Sequence, residues 1–201
     1  LAIVGLGWWG KHIARTLQPS TKLSVALGVD VDAGNRQDFT AQSGKPAVSD
    51  AEEALRRPDI DGIVIATPHR LHEKQALQAI AAGKQVFCEK PLALTLASAD
   101  RILVAADKAG IILGIGHERR YEAAMERIGH SISVGDLGQI LHLEANVSHD
   151  NFKRVAPGNW RLQAADAPAG AMTALGIHLT DLFQSFAGPI RTVRAYATTR
   201  V

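Results

Sequence analysis

The opening ten residues constrain this fold more than any other stretch. An apolar run, Leu1-Ala2-Ile3-Val4, enters Gly5-Leu6-Gly7-Trp8-Trp9-Gly10, and a helix-like segment from Lys11 to Leu17 follows. Strand, Gly-x-Gly-x-x-Gly and helix form an arrangement in which each glycine has its own task. Gly5 makes the tight turn, Gly7 lets the backbone approach a pyrophosphate, and Gly10 lets the helix pack against the strand. The N–H groups and positive dipole end of the helix then face the phosphates. The glycine pattern alone is a weak signal; the strand before it and the helix after it give it weight. A second apolar strand, Leu23 to Val29, ends in Asp30, about twenty residues further on, where a carboxylate accepts hydrogen bonds from the adenosine ribose. It would also repel a 2′-phosphate. These residues predict a dinucleotide site, with NAD expected ahead of NADP.

From residue 1 to about 117 the pattern alternates strand and helix. Strands are expected at 1–5, 22–30, 47–48, 61–66, 85–88 and 111–116, and helices at 8–18, 33–43, 50–57, 69–82 and 95–109. Most strands are continuous apolar runs, such as Ile63-Val64-Ile65-Ala66, which suits a parallel sheet covered on both faces. The alternation predicts a doubly wound α/β domain over 1–117. The style then changes. A helix at 120–130 leads to a strand at 139–149 that alternates apolar and polar residues, as a half-exposed antiparallel strand does. A Pro-, Gly- and Ala-rich loop (155–170), a helix at 171–187 and a strand-like run at 190–201 complete the chain. Residues 118–201 are expected to begin an α+β domain with an open, mostly antiparallel sheet, incomplete here. Its uncovered apolar face predicts assembly into a dimer or tetramer.

Composition narrows the functional classes. Across 201 residues, 46% are hydrophobic and 21% charged, ordinary values for an α/β domain, and the net charge of +2 gives no footprint for nucleic acid. No apolar run approaches the roughly eighteen residues of a membrane span. One cysteine, Cys88, excludes an intrachain disulfide, and no Cys/His spacing suggests a metal site. No signal peptide is visible, the chain opens inside a strand so that a few residues are expected to precede it, and the cytoplasm is the expected compartment.

Polar residues collect where the strands end. Ile63 to Ala66 runs into Thr67-Pro68-His69-Arg70-Leu71-His72-Glu73, and Gln85 to Cys88 runs into Glu89-Lys90-Pro91. Open α/β sheets bind ligands at these carboxyl ends. Lys90 reads either as a contact to the nicotinamide ribose or a substrate hydroxyl, or as a solvated lysine before a loop proline. His117 and Arg119-Arg120 follow the sixth strand and are candidates to line a cleft. Cys88 reads as a small apolar residue at a buried strand end.

Gly5–Gly10, Ala66-Thr67-Pro68 with His72-Glu73, Ala82-Gly83-Lys84 and Cys88-Glu89-Lys90-Pro91-Leu92 occur in the order and spacing of the glucose–fructose oxidoreductase / inositol dehydrogenase family. The chain resembles that family through its first domain and into the second. The resemblance implies a nucleotide-binding domain followed by an α+β domain, and NAD(P)-dependent chemistry on sugars, cyclitols and related hydroxy compounds. It gives Lys90 a role bridging cofactor and reacting hydroxyl, and it places Trp160-Arg161 near the cofactor, a surface arginine being the competing reading. A second family signature, Asp then His four residues later and Asp three beyond, appears here as Ala174, His178 and Asp181. Helical spacing puts 174, 178, 181 and 185 on one stripe, and the first carboxylate is missing. His178 and Asp181 suit proton transfer and hydroxyl binding, or else form a satisfied histidine–aspartate pair without chemistry.

The resulting expectation is an oxidoreductase that passes hydride from a secondary alcohol to NAD. Lys90 and His178 are catalytic, and Asp181, Arg161 and His117 bind substrate. Gly5, Leu6, Gly7, Trp8, Trp9, Gly10, Asp30, Thr67, Pro68, His72, Glu89 and Lys90 form the cofactor set, with the two indoles expected only to pack at the helix start. A non-catalytic NAD sensor and an NAD-dependent glycosidase remain as alternatives.

Overall fold

The computed structural model describes residues 1–148, 150, 153 and 155–198. These divide into two compact units, Leu1–Gly116 with the described part of 154–170, and His117–Lys153 with the described part of 171–201.

The first unit is built on six strands: β1 (Ala2–Val4), β2 (Leu27–Val29), β3 (Ala47–Val48), β4 (Gly62–Ile65), β5 (Gln85–Cys88) and β6 (Leu113–Ile115). They lie in the order β3-β2-β1-β4-β5-β6, and every pairing is parallel. Five helices connect them: α1 (Trp8–Leu17), α2 (Ala33–Ser43), α3 (Ala51–Arg56), α4 (His72–Ala81) and α5 (Leu96–Ala109). The doubly wound sheet expected from the alternation is formed. Side chains alternate across its two faces. Ala2, Val4, Ile63 and Ile65 join one core, whereas Ile3 and Val64 join the other with Leu6, Ala14, Val25 and Phe39. Burial on both faces explains why the strands read as unbroken apolar runs.

Local signals set the helix ends. Asp32, Asp50 and Thr95 cap α2, α3 and α5 by accepting from the N–H groups of Asn35, Glu52 and Ser98 at 2.7, 2.9 and 3.1 Å. The helix expected at 69–82 starts instead as a 3-10 turn, His69–Leu71, and becomes α-helical at His72. The tighter turn closes with the Leu71 N–H on the Pro68 carbonyl at 2.9 Å.

In the second unit a 3-10 turn, Glu118–Tyr121, precedes α6 (Ala123–Ser133). The helix expected at 171–187 begins as a π turn, Met172–Gly176, and continues as α7 (Ile177–Ala187). The wider turn shifts the helical phase, so the straight stripe through 174, 178, 181 and 185 does not hold across it. The antiparallel strands expected at 139–149 and 190–201 are not formed within the described residues, 139–148 and 190–198. A ladder needs a neighbour for each N–H and C=O, and neither segment pairs with the other or with any described strand. His149 and residues 199–201 lie outside the described residues.

Phe39 is the largest side chain buried in the second core, at 1% exposure, and its ring lies where a Cβ on Gly28 would stand at 2.7 Å. Phe39→Ala is expected to cost about 3–5 kcal/mol, read as a lower urea midpoint at unchanged denaturant slope.

Candidate functional site

Strand order reverses between β1 and β4, and the glycine loop sits there. Gly5 has φ +94°, and a Cβ on it would lie 2.6 Å from the Ala66 carbonyl oxygen at the end of β4. A Cβ on Gly10 would lie 1.9 Å from the Gly5 carbonyl oxygen, so the first turn of α1 rests directly on backbone. Around Gly7 nothing stands within 4 Å of such an atom. Gly7 is the N-cap of α1 without a side-chain cap, and no acidic residue occupies the first turn. Two close packings, one open position and an uncapped helix start fit a pyrophosphate.

Asp30, just past β2, brackets this loop. Its Oδ2 accepts from the Leu6 N–H at 2.7 Å and the Asn35 amide at 3.2 Å, and its Oδ1 accepts from the Asp32 N–H at 2.9 Å. A carboxylate has about four acceptor positions, which leaves capacity for a ribose hydroxyl. Arg36 donates to the carbonyls of Asp30 and Val31 at 2.8 and 3.0 Å. Leu6 belongs to the core through its side chain and to the loop through its N–H. The indoles pack as expected: Trp8 and Trp9 stack on His12 with centroids 5.6 and 5.0 Å away, although Trp8 stays 71% exposed.

The ends of β4 and β5 are tied together by His72. The ring is fully buried, with Nδ1 2.8 Å from the Pro91 carbonyl and Nε2 2.9 Å from the Thr67 carbonyl. Burial pulls its pKa down while both carbonyls pull it up, burial being the larger effect. Thr67 donates its hydroxyl to Gln75 at 2.6 Å. Glu89 is buried beneath Gly116, where a Cβ would fall 2.8 Å from the carboxylate, and it accepts from the Lys90 N–H at 3.3 Å. Burial, with the Glu89 charge next, pushes the Cys88 thiol well above its usual range, so it stays protonated and apolar in character.

A strap from 155 to 170 lies over the same end of the first unit. Asp166 is 2% exposed; its carbonyl accepts from His69 Nδ1–H at 2.8 Å and its Oδ2 from Arg70 at 2.6 Å. Trp160 meets the His69 ring edge-on at 4.5 Å, and the Arg161 guanidinium stands 4.3 Å over the indole.

The second unit carries its own polar cluster. His178 on α7 is 4% exposed, and its Nε2 stands 3.9 Å from Glu118 Oε1. Asp181 receives a bidentate clamp from Arg120, Nε to Oδ2 at 2.5 Å and Nη2 to Oδ1 at 2.6 Å. His117 Nδ1 lies 3.7 Å from the same carboxylate, and its ring meets that of His178 edge-on at 6.0 Å.

Two family models match this chain in tandem. Residues 1–117 match an oxidoreductase family with an NAD-binding Rossmann fold, and residues 125–201 match the GFO/IDH/MocA C-terminal domain. The chain belongs to the GFO/IDH/MocA family. It is 37% identical over 135 residues to the 1,5-anhydro-D-fructose reductase of Ensifer adhaerens, covering 67% of this chain and 40% of that protein. It is 36% identical to an inositol 2-dehydrogenase of Klebsiella pneumoniae over 71% of this chain and 44% of the other. A solved structure from Desulfitobacterium hafniense, whose name provisionally assigns NADPH dependence, superposes with TM-score 0.87 at 29% identity over 94% of this chain and 54% of its own. This GFO/IDH/MocA chain thus spans roughly half the length of the relatives it matches.

Within the GFO/IDH/MocA framework, the structure gathers Gly5, Leu6, Gly7, Gly10 and Asp30 into one cradle, and links Thr67, His72, Glu89 and Lys90 across two neighbouring strand ends. Arg161 lies in the first unit with the strap; His117, His178 and Asp181 form a group in the second. Sequence reasoning missed four participants. Asp166 carried no signal beyond a charged residue in an Ala-rich loop, and its partner Arg70 read as a helix residue. Glu118 adjoined the noted Arg119-Arg120 pair. Arg36 was legible in principle, since an arginine shortly after the strand-end carboxylate bears on a 2′-phosphate.

The strap gives a pH signature. Burial lowers the His69 pKa to about 4 from its usual 6.5. The unfolded chain therefore takes up a proton at His69 as pH falls below 6.5, which the folded protein accepts only near 4. Its contribution is complete above pH 6.5 and is lost as pH falls toward 4. His69→Gln is expected to flatten the stability curve between pH 6.5 and 5 relative to the unmutated protein, measured by urea denaturation across that range.

Proposed function

We propose that this protein is an NAD-dependent dehydrogenase that oxidises a secondary alcohol on a sugar, a cyclitol or a related cyclic substrate. The observation that carries the cofactor assignment is the glycine cradle with Asp30 beside it. Family membership and the names of the two relatives, a reductase of an anhydro sugar and an inositol dehydrogenase, support the substrate class. The main chain from Gly5 to Gly10, with Leu6, Trp8 and Trp9 between the glycines, holds the pyrophosphate. Asp30 accepts from the adenosine ribose, and Thr67, Pro68, His72, Glu89 and Lys90 form the nicotinamide end. Bound NAD supplies the hydride acceptor.

The protein's own residues handle the hydroxyl. His178 takes the hydroxyl proton as the carbon gives up its hydride, leaving a ketone. Lys90 donates a hydrogen bond to substrate oxygen and stabilises charge that builds there. Asp181, Arg161 and His117 bind neighbouring hydroxyls. The lysine's place directly after a buried strand end, and the burial of His178 with carboxylates nearby, support these assignments.

Two measurements test the reading. Asp30 is expected to give tighter binding of NAD than of NADP, and Asp30→Ser to erode the difference; equal or tighter NADP binding by the unmutated protein overturns the ribose assignment and turns attention to Arg36. For the chemistry, Lys90→Ala and His178→Ala are each expected to lower turnover by about a hundred- to ten-thousand-fold with NAD binding nearly intact, because neither holds the pyrophosphate. Full activity of both variants on an identified polyol overturns the mechanism. Tight NAD binding without turnover across a sugar and cyclitol panel favours a sensor.

A further inference from the structure

The second unit contains two carboxylates near His178, and they are not equivalent. Asp181 is on the same helix, one turn on, and each of its oxygens accepts from Arg120, at 2.5 and 2.6 Å, with His117 at 3.7 Å. The positive guanidinium and negative carboxylate offset one another there, so Asp181 presents little net charge to the neighbouring imidazole. One turn before His178 the helix carries Ala174, which offers no charge, and the π turn at Met172–Gly176 breaks the phase between the two. A carboxylate on another element also stands beside the ring. Glu118, in the 3-10 turn after β6, places Oε1 3.9 Å from His178 Nε2, with the His178 side chain 5% exposed and that of Glu118 43%.

We propose that Glu118 is a positioning residue for His178, stabilising the imidazole from the Nε2 side once the ring has taken up a proton. The inference rests on the reading of His178 as the base. A buried imidazole that accepts a proton acquires a charge that burial disfavours. A carboxylate at this distance offsets some of that cost, and its partial exposure keeps Glu118 itself hydrated. Arg120 belongs to the same turn, and its guanidinium pairs with Asp181 while Glu118 stands beside the ring. Among the described residues of this unit, Glu118 stands 3.9 Å from His178 Nε2 and the His117 ring 6.0 Å from its ring, while Asp181, one helical turn on, is paired with Arg120.

The test follows the His178 resonance in the intact protein carrying [13Cε1]histidine, assigned by its loss in His178→Gln. Glu118→Gln is nearly isosteric at a half-exposed position, so the fold is retained. It is expected to lower the His178 titration midpoint by about one pH unit, with Glu118→Asp retaining some of the effect. On an identified substrate the acid limb of the kcat/KM profile moves down by the same amount, while the plateau falls several-fold. An unmoved midpoint in Glu118→Gln overturns the proposal, and with an inactive His178→Ala it does so while leaving the base assignment standing. A shifted midpoint with fully active His178→Ala supports the Glu118 pairing and overturns the base assignment instead.

Discussion

The approach of the Gly10 backbone to the Gly5 carbonyl is the contact on which the cofactor end depends. With a Cβ, residue 10 would stand 1.9 Å from that oxygen, far inside any van der Waals distance, so only glycine lets α1 begin where it does. The start of α1 is thereby aimed at the open side of Gly7. The same loop is fixed from its other flank by Asp30, whose carboxylate holds the Leu6 N–H at 2.7 Å. On the proposed reading, loop shape and ribose recognition share one side chain. A substitution at Asp30 acts on both, which is why its effect on cofactor choice has to be read as a ratio between NAD and NADP rather than as affinity for either alone.

At the neighbouring strand ends, His72 acts in a comparable way. Its two ring nitrogens face two carbonyls, at 2.8 and 2.9 Å, on the turns that follow β4 and β5. A neutral imidazole has one N–H, so it donates to one of them at a time, and only the protonated ring satisfies both. Burial opposes that protonation. The competition is local to the turns carrying Thr67 and Lys90, and it links the geometry of the two strand ends to a single buried proton.

The first unit was legible because its signals are short in range. Apolar runs, caps such as Asp32 and Thr95, and the glycine spacing each act within a few residues, and together they predict a parallel sheet whose order and pairing the structure shows. What the sequence did not reveal depends on distant partners. Asp166 meets Arg70 across 96 positions, and Arg120 meets Asp181 across 61; no periodicity encodes such pairs. The strand-like alternation at 139–149 was a true pattern without a partner in the described chain, and pattern alone does not make a ladder. The π turn is a further case. The spacing of Ala174, His178 and Asp181 fits an α-helix, and nothing in Met172-Thr173-Ala174-Leu175-Gly176 announces the wider turn, although a Cβ on Gly176 would fall 2.3 Å from Met172 Sδ.

That turn bears on how a carboxylate reaches His178. Had the helix run without interruption, residue 174 would lie one turn below the ring, and Ala174 brings no carboxylate there. With the π turn the phase argument lapses, and the contacts that remain decide. Arg120 holds Asp181 through two nitrogens, a geometry that fixes both oxygens in one plane, so the guanidinium charge offsets that of Asp181. Glu118 approaches from a separate turn on a longer side chain. The sequence separates Glu118 from Arg120 by a single residue, so the 3-10 turn Glu118–Tyr121 delivers both the carboxylate for His178 and the cation for Asp181. One short turn therefore supplies a charged neighbour to each of His178 and Asp181 on α7.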